Sequence, residues 1–485
     1  MDKIIRFPAT YNKDVPQEYL GNPYIEALPD MLDIKSYFET TLFLPPFDKT
    51  YRHEPAHIRN VKIVELYKYV VPNQHYYDLY KTLWRMLFTT YTDRNSFDTE
   101  AVKEHYSKLL LRQKMNSAWK GTTGESLLIT APSGFGKTMM IKRVLHSLTQ
   151  VIDHEEYEGK KFKQPQVLWI YLKIPSNAAR KSLCHLFLKE VDKCVGTTYS
   201  TDTPTSTQIG AYENLFKTII ETYKLGMLVV DEMQNLSVSK SGGDDEFLNF
   251  FSELSEQWSM ALVLLGTPNI IPILEKTFTA TRRLTSGGDK HFSRYAQGDS
   301  VWKGLVTTLW SYQYITSPSN IYDDNREIID HKLFDEIYKL TQGIPFIFSF
   351  LFIHAQMIAI ENNEEKLGIK QWRKAYNESS QLIKSAIEDI RHNGGKNYPD
   401  LMNAAQYQSS PEKTEMITNI QKVIESNSVT PSVAKILREE INKLEDKYVL
   451  NEKEQSLINT IKHQKLFIDD ASNGDFIEGE CEVKK

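Results

Sequence analysis

The chain has 485 residues and a formal net charge of −5, from 58 basic and 63 acidic side chains. This length predicts two to four domains with buried cores, and the near balance of charge excludes a strongly basic chain, so any contact with DNA must come from a local patch. Its three cysteines, Cys184, Cys194 and Cys481, are too few and too scattered for a disulfide framework or a zinc site, which fits a reducing cytoplasm.

Residues 1–100 are predicted to form an aromatic-rich N-terminal region. Its first segment, MDKIIRFPATYNKD, has no apolar signal core, so no export is predicted. Prolines at 8, 16, 23, 29, 45 and 46 predict a poorly helical, extended arm over the first fifty residues. The clearest element is a helix over 76–91, because apolar and aromatic side chains recur there at three- and four-residue steps. These side chains are Tyr77, Tyr80, Trp84, Leu87 and Tyr91.

The segment 125–145, ESLLITAPSGFGKTMMIKRVL, places a glycine-rich turn between an apolar strand and a helix. Such a turn binds a nucleoside triphosphate, since its backbone N–H groups and the helix N-terminus attract phosphate. Lys137 is expected to neutralise the β- and γ-phosphates, and the Thr138 hydroxyl to complete a Mg²⁺ shell of phosphate oxygens and water. Ala131 replaces the usual first glycine, a minor departure because alanine is also small. The predicted nucleotide contacts are Pro132, Ser133, Gly134, Phe135, Gly136, Lys137, Thr138 and Met139.

Two further apolar runs each end in polar residues. The run 227–230, within GMLVVDEMQNL, has the composition of a buried parallel strand and is followed by two acids. Asp231 is expected to hold Mg²⁺ through water, and Glu232 to act as the general base for the attacking water. The run 261–265 ends in GTPN, where a polar side chain can sense the γ-phosphate; Thr267 is the first choice and Asn269 the second.

Four predicted strands, 127–130, 167–174, 227–230 and 261–265, alternate with helical segments. This alternation predicts a doubly wound α/β sheet that binds its ligand at the carboxyl ends of the strands. We assign the α/β nucleotide-binding domain to 101–323, a small helical domain to 324–395 and a helical tail to 396–485. The tail carries an apolar stripe, either self-packed or a docking helix, and an acidic end from residue 469. The stripe consists of Val433, Ile436, Leu437, Ile441 and Leu444.

The segment 343–360, GIPFIFSFLFIHAQMIAI, is apolar over almost the length of a membrane span. It contains Pro345, Ser349, His354 and Gln356, and it lies between charged segments with no companion span. We therefore predict a buried helix of the small helical domain, and no membrane partner.

The chain resembles TnsC, the AAA+ ATPase regulator of heteromeric cut-and-paste transposons, including the CRISPR-associated ones, and more distantly TniB. The resemblance spans most of residues 20–380. It is most specific in NPYIEALP (22–29), the phosphate loop and GMLVVDEMQNLSVSKSGGDDEFLNFF (226–251). It implies an AAA+ core with a helical lid, and an ATP-dependent homo-oligomer, ring or filament, on double-stranded DNA in the bacterial cytoplasm. Such an oligomer links a target selector to transposase and endonuclease subunits. The resemblance implies that the N-terminal region contacts the target selector and that the tail contacts the transposase and endonuclease subunits.

The resemblance also suggests roles for individual residues. Lys137, Thr138, Asp231 and Glu232 match the hydrolytic set of the family, and a guanidinium from Arg282 or Arg283 matches the finger offered to a neighbouring subunit; Arg294 is a second candidate. The lid start, TQGIP at 341–345, has no arginine where many AAA+ proteins place a second sensor. This departure predicts slow, partner-controlled hydrolysis.

The DNA contact is predicted at KIPSNAARK, residues 173–181, where basic residues stand beside small polar ones and open a helix. Phosphate contacts from Lys173, Asn177, Arg180 and Lys181 would position the protein without reading sequence. Lys240, in SKSGG, is the alternate. A different class of function, a DNA-remodelling motor or a signalling NTPase of a defence system, stays open; a motor requires rapid DNA-stimulated turnover.

Overall fold

The computed structural model describes residues 4–97, 124–175, 180–204, 207–238, 260–275, 278–404, 416–421 and 431–448, with 248, 250–252, 450, 454, 455 and 457–459. These residues contain a five-stranded parallel sheet, a separate three-stranded sheet, and helices on both faces of the parallel sheet. A helical part follows the sheet. The α/β fold class predicted from the sequence is confirmed.

The N-terminal region is less extended than its prolines predict. It contains β1 (Arg6–Pro8), α1 (Pro23–Glu26), α2 (Ile34–Thr41), α3 (Ala56–Val64) and α4 (Gln74–Tyr91), with short 3-10 turns at Gln17–Tyr19, Lys49–His53 and Glu65–Lys68. Proline is compatible with the first turn of a helix, where its missing N–H costs nothing, and Pro23 occupies that position in α1. The Asn22 side chain caps α1 by accepting from the Tyr24 N–H. Tyr24 and Glu26 are fully buried, so the motif NPYIEALP folds into the chain's own core.

Helix α4 confirms the predicted helix and begins two residues earlier than expected. The Asn73 side chain accepts from the His75 N–H and caps its first turn. Tyr80, Leu87 and Tyr91 are buried against α1, α2 and one face of the parallel sheet. The N-terminal region and the sheet therefore share one hydrophobic core.

The parallel sheet has the strand order β5-β6-β7-β2-β8. Its strands are β2 (Ser126–Thr130), β5 (Trp169–Lys173), β6 (Met227–Asp231), β7 (Ala261–Gly266) and β8 (Asp289–His291). If the five strands of this sheet are numbered by their order along the chain, their order across the sheet is 2-3-4-1-5. Strands β2, β6 and β7 are buried along their whole length, which explains why each is a continuous apolar run.

A hairpin that the sequence analysis did not predict precedes β5. Strands β3 (Val151–Tyr157) and β4 (Lys160–Val167) pair antiparallel, and β1 adds to β3 in parallel. Glu158 and Gly159 both have positive φ, 49° and 75°, as a two-residue hairpin turn requires. Val167 ends β4, so the predicted strand over 167–174 combined the end of one strand with the next.

Helices cover both faces of the parallel sheet. They are α5 (Lys137–His146), α6 (Arg180–Val195), α7 (Tyr199–Asp202), α8 (Ile209–Thr222), α9 (Ile271–Leu274) and α10 (Phe278–Leu284). One core contains α6 and α8, and the other contains α4 and α5.

A helical lid follows the sheet. It comprises α11 (Ser300–Trp310), α12 (His331–Thr341), α13 (Pro345–Glu361), α14 (Ile369–Ser379) and α15 (Gln381–Asn393). Helix α11 begins before residue 324, where the sequence prediction starts the lid, but its Trp302 and Trp310 lie in the lid core. Helix α13 is largely buried there. Among the described residues no single helix is long and apolar enough to span a membrane; only the bent pair α12 and α13, at 118°, passes that test jointly.

In the tail, α16 (Pro431–Lys447) carries most of the predicted apolar stripe. Leu437, Ile441 and Leu444 are buried in a small cluster with Ile420 and Tyr448, whereas Ile436 is 59% exposed. For these three residues the structure favours the self-packed interpretation over a docking helix.

Candidate nucleotide-binding site

The phosphate loop connects β2 to α5 at the carboxyl edge of the parallel sheet. Gly136, with φ 104°, is the N-cap of α5, and Gly134, with φ 76°, makes the preceding turn. A Cβ at Gly134 would lie 2.9 Å from Ile344 Cγ2, so the loop passes close against the lid. The N–H groups at the start of α5 are thus available to an anion.

Lys137 is buried beneath this loop. Its Nζ donates to the Ala131 carbonyl oxygen at 2.9 Å. Burial lowers the pKa of Lys137, and the nearby carboxylates of Asp231, Glu232 and Asp400 oppose that effect. A phosphate at the loop would supply the partner charge that a buried ammonium requires.

Asp231, at the end of β6, connects this strand to β5 and to the first turn of α5. Its Oδ2 accepts from Thr138 Oγ1 at 2.7 Å and from the Tyr171 hydroxyl at 2.8 Å, and its Oδ1 accepts from the Glu232 N–H at 2.8 Å. Burial, followed by the negative charge of Asp231, raises the pKa of Tyr171, which therefore stays a donor. Thr138 and Asp231, predicted as the Mg²⁺ pair, thus lie in direct contact. A hydroxyl and a carboxylate are hard oxygen donors, and they fit that ion.

Glu232 has a left-handed backbone conformation, with φ 64°, which is uncommon for a residue with a long side chain. Its Oε1 lies 3.6 Å from Lys173 Nζ, and its Oε2 accepts from Gln234 Nε2. Both carboxylate oxygens therefore have partners. The predicted general base is held at the edge of the site by two neighbours, neither of which the sequence analysis connected with it.

Thr267 lies at the end of β7, between β6 and β2, where the predicted γ-phosphate sensor should be. Its side chain is buried, and its Oγ1 donates to Asn269 Oδ1 at 2.5 Å. Thr267 and Asn269, the first and second choices for the γ-phosphate sensor, are thus hydrogen-bonded to each other. The Thr267 N–H donates to Gln234 Oε1 at 3.1 Å.

A cavity of about 350 Å³ adjoins the phosphate loop. Its walls come from the segment 67–76, the loop and α5, and the lid helices α11 and α13. Tyr69, Phe135, Tyr295 and Phe346 contribute aromatic surface, which suits a flat nucleobase. No sequence motif predicts this pocket, since its walls come from three distant parts of the chain.

A short segment after the lid also contacts the loop. The Ser133 N–H donates to the Asp400 carbonyl oxygen at 2.7 Å, within the 3-10 turn Pro399–Leu401. Met402 and Ala404 pack against Ile271. Residues 396–404 were predicted to belong to a tail outside the nucleotide core, but these contacts join them to the core.

Of the residues predicted to contact DNA, Lys173 lies at the site, because it ends β5 and pairs with Glu232. Lys181 is exposed near the start of α6, whereas Asn177 and Lys240 lie outside the described residues.

The arginines predicted as the finger differ in exposure. In α10, Arg282 is exposed and Arg283 is half-buried. Burial lowers the pKa of Arg294, whose backbone N–H donates to Asn403 Oδ1.

The strand order, the phosphate loop after the first strand of the sheet and the acids after the third define an AAA+ P-loop domain followed by a helical lid. Residues 120–274 match the family model described as an AAA domain. The coarser expectation from the sequence, an AAA+ ATPase fold, is confirmed. No curated protein matches the sequence.

Several solved structures overlap this fold. A Walker-type ATPase of Pyrococcus abyssi has 13% identity and a TM-score of 0.36, covering 74% of this chain and 93% of that chain. Cdc6p from Pyrobaculum aerophilum has 14% identity and a TM-score of 0.37, covering 76% and 86%. The Aeropyrum pernix Orc1 protein, solved in complex with DNA, has 14% identity and a TM-score of 0.36, covering 75% and 83%. Overlaps of this quality carry no information on what this chain binds.

Proposed function

We propose that the protein is an ATP-dependent, DNA-binding regulator of transposition. In this account ATP binding assembles a homo-oligomer on double-stranded DNA, the oligomer links a target selector to the transposase, and hydrolysis takes it apart. The observation that carries the nucleotide part is the placement of the phosphate loop, the Thr138–Asp231 pair and Glu232 at one edge of the sheet.

The chain's residues divide the work of hydrolysis. Lys137 and the N–H groups at the start of α5 bind the β- and γ-phosphates, and the aromatic pocket holds the base. Glu232 takes a proton from the attacking water as the phosphorus–oxygen bond to ADP breaks, which leaves ADP and inorganic phosphate. Mg²⁺, when bound at Thr138 and Asp231, supplies charge that neutralises the phosphates.

The structure supports a regulated rate. One oxygen of the Glu232 carboxylate faces the Lys173 ammonium at 3.6 Å, and a partner or DNA that draws this ammonium away frees that oxygen for the attacking water. A base held in this way fits slow turnover that a partner or DNA accelerates. The exposed Arg282 is the residue we assign to the γ-phosphate of a neighbouring subunit, with Arg283 beside it.

The transposition part depends on the resemblance to TnsC. Because NPYIEALP is buried, we assign the contact with the target selector to exposed apolar side chains of the same region. These side chains are Leu20, Met31, Ile34, Leu42, Ile58, Val61 and Val64. The tail is assigned to the transposase and endonuclease subunits.

The test is assembly on double-stranded DNA, followed by electron microscopy and sedimentation with ADP or a non-hydrolysable ATP analogue. We expect oligomers on DNA of any sequence with the analogue only, and none for Lys137→Ala, which loses the charge that binds the phosphates. Strand separation with rapid DNA-stimulated turnover would instead indicate a motor. Analogue binding by Lys137→Ala at wild-type affinity would contradict the site itself.

A further inference from the structure

The side chain of Gln234 bridges the predicted general base and the predicted γ-phosphate sensor. Gln234 lies in the 3-10 turn Met233–Val238, directly after β6. Its Nε2 donates to Glu232 Oε2, and its Oε1 accepts from the Thr267 N–H at 3.1 Å.

The orientation of this amide is fixed by chemistry. A backbone N–H can only donate, so the group that faces Thr267 must be the amide oxygen. The NH₂ group then faces Glu232, whose ionised carboxylate can only accept. Reversing the amide would oppose two donors at one end and two acceptors at the other.

We propose that Gln234 is a positioning residue that orients the Glu232 carboxylate and couples it to the end of β7. This inference rests on the proposed ATP hydrolysis. Glu232 follows β6 with a left-handed backbone conformation, so the strand does not set the direction of its side chain. That direction is set by the groups that the carboxylate contacts. Gln234 supplies a neutral donor that holds the carboxylate in place, whereas Lys173 supplies charge at 3.6 Å.

The link to Thr267 gives the bridge a second role. Thr267 is buried between β6 and β2, and its N–H lies at the point where β7 ends. A movement of this residue toward a γ-phosphate shifts the acceptor end of Gln234, and the donor end then moves with it. A phosphate bound at the site thereby changes the position of the general base through a single planar amide.

The test uses Gln234→Glu, which keeps an acceptor for the Thr267 N–H and replaces only the donor that faces Glu232. We expect kcat at pH 8 to fall about 10- to 100-fold, below the full effect of losing a general base, with KM for ATP changed less than about threefold. A fall in kcat with little change in KM separates a positioning role from a general loss of structure at the site, which would raise KM as well.

Asn235→Ala is the matched control, because Asn235 is the next amide of the same turn and its side chain donates to the Ile174 carbonyl oxygen instead. It should keep wild-type kcat and KM. Gln234→Leu, which removes both ends of the bridge, should lower kcat at least as much as Gln234→Glu. A Gln234→Glu variant with wild-type kcat, or with KM raised as much as kcat is lowered, overturns the positioning role. A wild-type protein that hydrolyses no ATP overturns the proposed function and this inference together.

Discussion

At the scale of single residues, Asp231 organises the nucleotide site. A fully buried carboxylate is costly unless it is paired, and Asp231 accepts from two hydroxyls and one backbone N–H. These bonds fix Thr138 and Tyr171 beside it and set the direction in which the chain leaves β6. The sequence showed the acid pair, but it did not show that Tyr171 completes the set.

A partly buried cation, Lys224, lies just before the start of the same strand. Burial first, then the positive charge of Arg94, lowers the pKa of Lys224 from 10.5 to about 8. Between these two values the unfolded chain binds more protons than the folded one, so the stability of the fold rises as the pH rises from about 8 to 10.5. Below that window the charged Lys224 is destabilising.

We therefore expect Lys224→Met to stabilise the protein at pH 7 by about 1–2 kcal/mol, a discounted value because the side chain is partly exposed. The gain should shrink toward zero at pH 10, where wild-type Lys224 is already neutral. Denaturant midpoints at the two pH values measure this. Lys189→Met, at an exposed site on α6, is the control and should change little. An equal gain at both pH values would show that the charge is not the cause.

At the scale of elements, the apolar runs of β2, β6 and β7 and the periodicity of α4 were sufficient to predict these elements and the edge where the site lies. The hairpin β3–β4 was missed because its central sequence, DHEEYEGKKFK, is polar and has no apolar run, and because β3 has its second partner in the distant strand β1. The aromatic pocket beside the phosphate loop and the bridge through Gln234 were missed for a related reason. Both depend on contacts between distant segments, which local patterns do not encode.

The start of α6 is the element where the DNA prediction can be tested. Lys173 is left out of the test, since its pairing with Glu232 means that replacing it also disturbs the general base. Replacing Arg180 and Lys181 by alanine should weaken binding equally for all sequences. It should also flatten the log–log salt dependence by about one unit per lost phosphate contact.

Titrations of salt against affinity for two unrelated duplexes measure both effects. Lys189→Ala, further along the same helix, is the matched control and should keep the wild-type slope. An unchanged slope in the double variant would move the contact away from α6, with Lys240 as the next candidate.

At the scale of the whole molecule, the segment after the lid connects the nucleotide core to the tail. The sequence prediction divided these parts at residue 396, but the Asp400 carbonyl accepts from the phosphate loop and Met402 packs on Ile271. A truncation that removes 396–485 therefore removes contacts of the nucleotide site, whereas a truncation that removes 405–485 keeps them.

The two truncations should consequently differ. Deleting 405–485 should leave ATP-dependent assembly on DNA intact and lose the recruitment of transposase subunits. Deleting 396–485 should in addition weaken nucleotide binding, because the Ser133 N–H loses its partner. Nucleotide titration, a filament assay and a pull-down with purified transposase subunits measure the three properties. Loss of assembly in the shorter deletion with recruitment retained would show that the tail belongs to the oligomer.

We propose that ATP binding builds the DNA-bound assembly and that hydrolysis dismantles it. Glu232→Gln tests it most directly, since the variant keeps the shape of the site and loses the base. We expect it to bind ATP, to hydrolyse it at least about 100-fold more slowly, and to stay on DNA correspondingly longer than wild type once free ATP is removed. The measurement is the dissociation rate from immobilised double-stranded DNA after a wash without nucleotide. Equal dissociation rates for the two proteins, despite slowed hydrolysis in the variant, would contradict the account.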